Sequence, residues 1–295
     1  MRHTLSVCAA ALALLGSPAS AVSDGTLVPL DPEAHAAYRA ARDAALTPVS
    51  SATLSTRDAG ASSSLLLPFY EIDRRQQFAS TTLFGLRNPR NTASAVGIDY
   101  YDRMGHRLRS DNYTLPAAAS LTFNLRDNPA LTAEGDGFAR GYVVVTTDGQ
   151  LTGEGFQVDP SQDHATGERL LDLSGDPLCS LWESRYMVGG TFSGGTRLTL
   201  LVGDPRQPGG KEDEHGAVFE LFDEAGRSYG SVALLTNLVV NRIDLADVRA
   251  QLPGAPELGV VEIYFNGTGG LAMVDYSAEG RYSVGMAAAC LAPMQ

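Results

Sequence analysis

The stretch Tyr101-Asp102-Arg103-Met104-Gly105 recurs in altered form as Phe222-Asp223-Glu224-Ala225-Gly226. Both copies have an aromatic residue, then Asp, then Gly at the same spacing. An Asp at the first position of a turn accepts a hydrogen bond from the backbone two residues on, and Gly supplies the positive φ that the turn requires. Each copy therefore predicts the tip of a β-hairpin.

Short runs of alternating apolar and polar residues surround these two turns and continue along the chain from Leu65 onward. Gly, Asp, Asn and Pro separate the runs, of which the clearest are Ala95–Tyr101, Tyr142–Thr147, Ala217–Phe222 and Val260–Phe265. A spacing of about 8–12 residues between such runs is typical of antiparallel sandwiches and barrels. We therefore predict an all-β fold, with strands over most of residues 65–158 and 180–289.

Further matches indicate an internal duplication, because they keep the same order at an offset of 114 to 125 residues. The matched residues are Phe78 with Phe192, Thr82 with Thr196, Asn88-Pro89 with Asp204-Pro205, Asn124 with Asn241, Gly141 with Gly259, and Glu154 with Glu279. A fixed period of this kind predicts repeated structural units. We expect two tandem antiparallel β-sandwich modules, residues 65–175 and 176–293, each with sheets of its own.

Residues 1–21 have the pattern of a secretory signal peptide. Arg2 and His3 precede the apolar run Leu5–Leu15, and Ala19-Ser20-Ala21 supplies the small residues at a cleavage site. We expect cleavage after Ala21 and export to the bacterial periplasm or the cell exterior.

Residues 22–64 are predicted to form a short helix and a flexible linker. Asp31-Pro32-Glu33 is typical of a helix start, with Asp as the N-cap and Pro in the first turn. The helix should end near Leu46, and its Ala-rich inner face, with Tyr38 as the one large side chain before Leu46, should bury little. The Ser, Thr and Ala residues that follow predict a spacer.

Two cysteines remain once the signal peptide, which contains Cys8, has been removed. An even number of cysteines in an exported chain predicts a disulfide, here between Cys179 and Cys290. Two buried, reduced thiols are the alternative. The single tryptophan, Trp182, lies close to Cys179 in sequence, and we expect it to pack in the core beside the bridge.

The overall composition is that of a globular protein with an acidic surface. The 295 residues carry 34 acidic and 22 basic side chains, a formal net charge of −12, and 44% of them are apolar. This balance argues against a nucleic-acid partner, which would require a basic surface, and against an anionic membrane surface. No apolar run is long enough to predict a transmembrane segment.

The sequence contains patterns that resemble catalytic or metal-binding sites, but the residues around them do not fit such sites. Gly226-Arg227-Ser228-Tyr229-Gly230 matches the G-x-S-x-G pattern of hydrolases, but it begins at a hairpin tip and leads into a predicted strand instead of a helix. The histidines are scattered, and Glu212-Asp213-Glu214 is typical of a solvated loop. We assign no catalytic residue, no cofactor and no metal ligand.

One further stretch carries a resemblance to known proteins. Leu66-Leu67-Pro68-Phe69-Tyr70-Glu71-Ile72-Asp73, followed by Thr81-Thr82-Leu83-Phe84 and the aromatic-Asp turn, resembles a group of exported bacterial proteins of unknown function. Their modules are immunoglobulin-like sandwiches. The resemblance covers about residues 65–290 and implies the fold and the export, but it carries no catalytic residues.

Two classes of function remain open at this stage. The first is a non-enzymatic exported protein for surface association, adhesion or envelope structure, with a protein or glycan as its partner. The second is a carbohydrate-binding or carbohydrate-active secreted protein, which an exposed line of aromatic rings or two facing acids would favour. In a strand, Tyr100-Tyr101 places one ring on each face, so one ring is expected to point outward.

Overall fold

The computed structural model describes residues 25–46, 62–76, 79–159, 164–174, 178–188, 195–206, 215–265, 269–278 and 282–293. These residues form eighteen strands, two α-helices and one 3₁₀ turn. The prediction of an all-β fold is confirmed. The signal peptide, residues 47–61 of the predicted spacer, Phe78, Phe192, the Glu212–Glu214 stretch and Glu279 lie outside the described residues. Residues 62–64, predicted as the end of the spacer, are strand instead.

A short N-terminal segment precedes two longer parts of the chain, which we call the first half and the second half. The segment contains β1 (Thr26–Pro29) and α1 (Pro32–Leu46). The first half contains β2 (Ser62–Asp73), β3 (Thr81–Arg87), β4 (Ser94–Asp102), β5 (Arg107–Leu115), β6 (Ser120–Asn124), the 3₁₀ turn Leu125–Asp127, β7 (Phe138–Asp159), β8 (His164–Arg169) and β9 (Leu171–Asp172). The second half contains β10 (Cys179–Met187), β11 (Thr196–Val202), β12 (His215–Phe222), β13 (Ser228–Thr236), β14 (Val240–Asp244), α2 (Leu245–Ala250), β15 (Leu258–Phe265), β16 (Gly270–Ala278), β17 (Tyr282–Ala287) and β18 (Ala289–Pro293).

The first half forms two antiparallel sheets that share the long strand β7. Sheet 1A has the order β9-β2-β7-β4-β5, and sheet 1B has the order β6-β3-β7-β8. Residues 138–147 of β7 lie in sheet 1A, and residues 152–159 lie in sheet 1B. Apolar side chains from the facing sides of both sheets, such as Ile98 and Phe84, form one buried cluster.

The second half repeats this strand order. Sheet 2A has the order β18-β10-β15-β12-β13, and sheet 2B has the order β14-β11-β16-β17. Each strand pairing of the first half has a counterpart, with β15 and β16 in the places of the two parts of β7. The common order accounts for the internal sequence repeat; it does not by itself establish an immunoglobulin type.

Individual contacts repeat as closely as the strand order does. The Asp102 carboxylate accepts hydrogen bonds from the backbone N–H groups of Met104 and His106, at 2.9 and 2.8 Å. The Asp223 carboxylate accepts the same two bonds from Ala225 and Arg227, at 3.0 and 2.8 Å. The glycine that follows has a φ of 85° in the first turn and 77° in the second. Both predicted hairpin tips are therefore present.

A buried threonine links neighbouring strands at the same place in each half. The hydroxyl of Thr82 accepts from the backbone N–H of Glu71 and donates to the Glu71 carbonyl. The hydroxyl of Thr196 makes the same pair of bonds with Met187. The sequence match of Thr82 with Thr196 therefore corresponds to a shared structural role.

Two of the predicted matches were placed wrongly. The pairing of Leu83 with Asn124 corresponds to that of Arg197 with Asp244, so Asp244, and not Asn241, is the counterpart of Asn124. Glu154 was matched to Glu279, but strand register places its counterpart at Met273, because Gly85 and Thr199 are the equivalent residues opposite them.

The expectation that each half has sheets of its own is wrong. β8 and β17 pair in parallel, with Tyr282 opposite Ala165 and Val284 opposite Gly167. This pairing joins sheet 1B to sheet 2B, so one continuous sheet runs through both halves. Each of the two strands would otherwise be a free edge with unpaired backbone groups, and their pairing satisfies both.

The outer face of sheet 1A packs against the second half. The rings of Tyr101 and Tyr142 stack with centroids 4.8 Å apart, and the Arg242 guanidinium lies 4.7 Å above the Phe69 ring. The Arg103 carbonyl in the hairpin tip accepts hydrogen bonds from the N–H groups of Val239 and Val240, at 2.7 and 3.1 Å. The halves therefore share one apolar cluster.

This packing corrects the expectation for Tyr100-Tyr101. The two rings do point to opposite faces, but both side chains are buried. Tyr100 lies in the core between sheets 1A and 1B, and Tyr101 lies in the contact between the halves. Alternation along a strand predicts the two faces, but it does not show that a second structural unit covers the outer one.

The repeated glycines Gly141 and Gly259 provide a test of the duplicated geometry. A Cβ at Gly141 would lie 1.9 Å from the Tyr101 carbonyl oxygen, and one at Gly259 would lie 2.1 Å from the Phe222 carbonyl oxygen. We expect Gly141→Ala and Gly259→Ala each to lower the free energy of unfolding by about 2 kcal/mol or more in urea denaturation, because backbone atoms must move apart.

Gly135→Ala is the matched control, since a Cβ there would have no neighbour within 4 Å. It should change stability by less than about 0.5 kcal/mol. Equal stability of all three variants would show that the close backbone approach is not present in the folded protein.

Candidate functional site

The N-terminal segment is docked on the second half. β1 adds to sheet 2A as a further antiparallel strand beside β13, with Val28 opposite Ala233. α1 lies across the outer face of the same sheet, where Tyr38 is buried and meets the Tyr264 ring edge-on at 5.8 Å. The predicted helix and its end at Leu46 are confirmed. Only Ala34 and Tyr38 of the helix are buried, which agrees with the expectation that it buries little.

Three glutamates form a row across sheet 2A beneath this helix. Glu183 of β10 is directly opposite Glu262 of β15, which is directly opposite Glu220 of β12. Ser231 of β13 ends the row opposite Glu220. Glu220 has no solvent exposure and Glu262 has 5%. Neighbouring like charges destabilise a sheet, so this row needs compensating cations.

Basic side chains of α1 provide that compensation. The Arg39 guanidinium donates to Glu220 Oε1 from Nη2 at 2.5 Å and from Nε at 3.0 Å. Arg42 donates to both carboxylate oxygens of Glu262, with Nη2 at 2.5 Å from Oε1. His35, Arg39 and Arg42 face the sheet together because residues about one and two turns apart share a helix face.

The buried setting changes the ionisation of two helix groups. Burial, reinforced by the charges of Glu220 and Glu262, raises the pKa of Tyr38 well above its ordinary value, so its phenol stays neutral. The hydrogen bond to Glu262 raises the pKa of the Arg42 guanidinium. The helix therefore presents fixed positive charges to the glutamates.

Ser231, His35 and Glu220 approach the order of a hydrolase triad but lack its chemistry. His35 Nδ1 lies 2.9 Å from Ser231 Oγ, while His35 Nε2 is 3.9 Å from Glu220 Oε1, beyond hydrogen-bond range. Glu220 is already neutralised by Arg39, and Ser231 is 1% exposed beneath the helix. A nucleophile must reach substrate, so these groups form a structural contact.

Ser228 does not occupy a nucleophile elbow. It is the first residue of β13, and residues 228–236 are strand, whereas an elbow requires a turn into a helix. Its hydroxyl donates to Glu220 Oε1 at 2.5 Å. The serine of the G-x-S-x-G match therefore adds a hydrogen bond to the buried glutamate.

Cys179 and Cys290 form the predicted disulfide. Their Cα atoms are 5.9 Å apart and the residues are separated by 111 positions in sequence. Trp182 lies directly opposite Cys290 in the pairing of β10 with β18 and belongs to the buried core, as expected. Its indole N–H donates to the Gly270 carbonyl at 3.0 Å.

The other residues considered from sequence do not come together. His106 is exposed, with Nδ1 3.0 Å from its neighbour Asp102 in the hairpin tip. The side chains of His164 and His215 are outside the description. Among the described residues there is no cluster of three or more potential metal ligands. Neither helix in the described ranges is long and apolar enough to cross a membrane.

A shallow, open groove of about 350 Å³ lies on sheet 1A, at the end of the outer face that the second half leaves exposed. Gly97 forms its floor, with Asn112 and Thr146 directly opposite on the two neighbouring strands. Asp148 and Tyr113 also line it. The Asn112 and Thr146 side chains are exposed and make no hydrogen bond with the described residues.

Sequence reasoning missed both the acidic row and the groove. The row had a signal, because Glu220 and Glu262 each interrupt a strand that is otherwise almost wholly apolar. The groove had none, because the need for a small residue at Gly97 depends on Asn112 and Thr146, which are brought beside it only by strand pairing.

Comparisons with known proteins add no assignment. No family model and no curated protein matches this chain. Among solved structures, the crystal structure of the STIV MCP aligns with 11% sequence identity and a TM-score of 0.21, covering 76% of this chain and 93% of that one. A likeness this low supports no conclusion about fold or function.

The disulfide is expected to stabilise the second half by linking its first and last strands. The double variant Cys179→Ser/Cys290→Ser should lose about 2–4 kcal/mol of unfolding free energy, because the unfolded chain is no longer constrained. Urea denaturation measures the loss, and dithiothreitol should destabilise the unmodified protein by a similar amount while leaving the variant unaffected. Two reactive thiols in the denatured, unreduced protein would contradict the bridge.

Proposed function

We propose that this chain is an exported, non-enzymatic β-sandwich protein that acts in surface association, adhesion or envelope structure. The proposal is supported by how the two halves are joined. A continuous sheet and a shared apolar cluster connect them, so the groove at Gly97 is held in a fixed position on a rigid block. A fixed recognition surface suits a protein that works by attachment.

Charged side chains serve the same rigidity in the loops of the first half. Arg74 donates to the backbone carbonyls of Arg126, Asn128 and Leu131. Arg126 in turn donates to four carbonyls between Asp73 and Ser80. These bonds tie long connections to the sheets and so preserve the shape of the surface.

The observation that supports the proposal most directly is the groove at Gly97, where the Asn112 and Thr146 side chains make no hydrogen bond with described residues. Asn112 and Thr146 flank the glycine floor, and a Cβ at Gly97 would come within 3.0 Å of Thr146 Oγ1. Glycine therefore keeps open a depression between two side chains that can donate and accept hydrogen bonds. Such a surface can bind a polar chain laid along the sheet.

Carbohydrate binding is the second candidate, and the composition of the groove favours it. An amide, a hydroxyl and the Asp148 carboxylate are groups that bind sugar hydroxyls. The Tyr113 ring points to the other face of the sheet, where it packs edge-on against Phe123. Asp148 already accepts the Ala95 N–H through Oδ1, which holds the carboxylate at the groove edge.

Removing the polar groups of the groove tests both candidates. We expect Asn112→Ala/Thr146→Ala to reduce retention of the exported protein on producing cells at least tenfold, because the hydrogen bonds to the partner are lost. Ser120→Ala, on an exposed strand of sheet 1B, is the control, and this variant should be retained on the cells as well as the unmodified protein is. Cell fractionation measures retention.

A glycan array with the same variants separates the two candidates. If the unmodified protein binds glycans and the Asn112→Ala/Thr146→Ala variant does not, the result supports carbohydrate binding at the groove. Loss of retention without any glycan binding supports a protein partner. Retention that is unchanged in the groove variant contradicts the groove as the attachment surface.

A further inference from the structure

We propose that sheet 2A is a docking surface for the N-terminal segment of a second copy of this chain, so that copies become linked by exchange of residues 25–46. The inference deepens the structural role proposed above, on which it rests, by naming a partner. It concerns a different surface from the groove, so the two can be tested separately.

The segment behaves as a unit separate from the part of the chain that follows it. It precedes the first half in sequence, yet its strand pairs with β13 and its helix lies on β10, β12 and β15, all in the second half. The segment therefore passes over its neighbour in sequence and completes a distant sheet.

The second half needs this segment in a way that the first half does not. β5, the counterpart of β13, is an exposed edge strand with charged side chains such as Arg107 and Arg109, which tolerate water. In β13, Val232, Ala233 and Leu234 are buried, and β1 covers their edge. Sheet 2A is therefore incomplete until a strand is added.

The outer face of sheet 2A is specific for a basic helix. Strand pairing places Leu66 and Val144 of sheet 1A at the positions of Glu183 and Glu262 in sheet 2A. The apolar pair in sheet 1A belongs to the cluster shared with the second half. The acidic pair cannot accept such an apolar surface and instead matches the arginines of α1.

The interface resembles a contact between partners more than a permanent core. Two arginine–glutamate pairs lie within it, and two buried atoms, Glu220 Oε2 and the Tyr38 hydroxyl, have no hydrogen-bond partner among the described residues. Unpaired buried polar atoms reduce the net gain of docking. The segment can therefore leave at lower cost than an apolar strand would.

Chain length allows the segment to reach a neighbouring copy. Residues 47–61 separate Leu46 from Ser62, and fifteen residues span up to about 50 Å when extended. The contacts of β1 and α1 are the same whether sheet 2A belongs to the same copy or to another, so only the tether favours the internal arrangement. Each copy can give its segment to one neighbour and accept one from another, which produces a head-to-tail chain.

Mixing isotope-labelled and unlabelled full-length protein without its signal peptide tests the exchange directly. At about 1 mM, a concentration comparable to that imposed by a short tether, native mass spectrometry should detect dimers and larger species of mixed mass. An excess of a peptide of residues 25–46 should remove them by competing for sheet 2A. A protein that remains monomeric at this concentration overturns the proposal.

Two charge-reversal variants show which surfaces are used. Arg39→Glu/Arg42→Glu removes the positive charges by which the donor segment binds, and Glu220→Arg/Glu262→Arg removes the negative charges of the acceptor sheet. A mixture of the two retains one intact donor and one intact acceptor and should form a heterodimer, whereas each variant alone should lose the oligomers. Arg107→Glu/Arg109→Glu on β5 is the control and should oligomerise as the unmodified protein does.

Oligomers that persist in both reversed variants would overturn the exchange, since another surface would then hold the copies together. If a reversed variant fails to fold, as judged by circular dichroism, the isotope-mixing and peptide-competition results decide. A strictly monomeric protein that still needs the groove for retention on cells overturns the exchange and leaves the proposed function standing.

Discussion

The structure depends on covering the outer face of each A sheet. Sheet 1A presents Phe69, Tyr101 and Tyr142 outward, and the second half covers them. Sheet 2A presents buried glutamates outward, and the N-terminal helix covers and neutralises them. Neither face can be left in water unchanged, because one is apolar and the other is a row of like charges.

Duplication explains why the two halves are alike inside and different outside. The contacts that shape one half, such as the Asp turn and the close backbone approach at Gly141, recur in the other. The residues that face another unit have diverged, as Val144 and Glu262 show. The difference at these positions lets each half dock a different cover.

The sequence predicted the features that local chemistry determines. The hairpin tips at Asp102 and Asp223, the helix that begins at Pro32, the strand pattern and the pairing of Cys179 with Cys290 each follow from a few neighbouring residues or from cysteine count. Features that depend on distant parts of the chain were missed. The parallel pairing of β8 with β17, the burial of Tyr101 and the glutamates beneath α1 all require knowledge of which element lies opposite.

The central claim is that the two halves form one cooperative unit, and equilibrium unfolding in urea tests it most directly. Trp182 is the only tryptophan and lies in the second half, so its fluorescence reports that half alone, whereas far-ultraviolet circular dichroism reports strands in both. A shared sheet and a shared apolar cluster predict that the two signals change together in a single transition. Two separated transitions, with fluorescence changing in only one of them, would contradict the account.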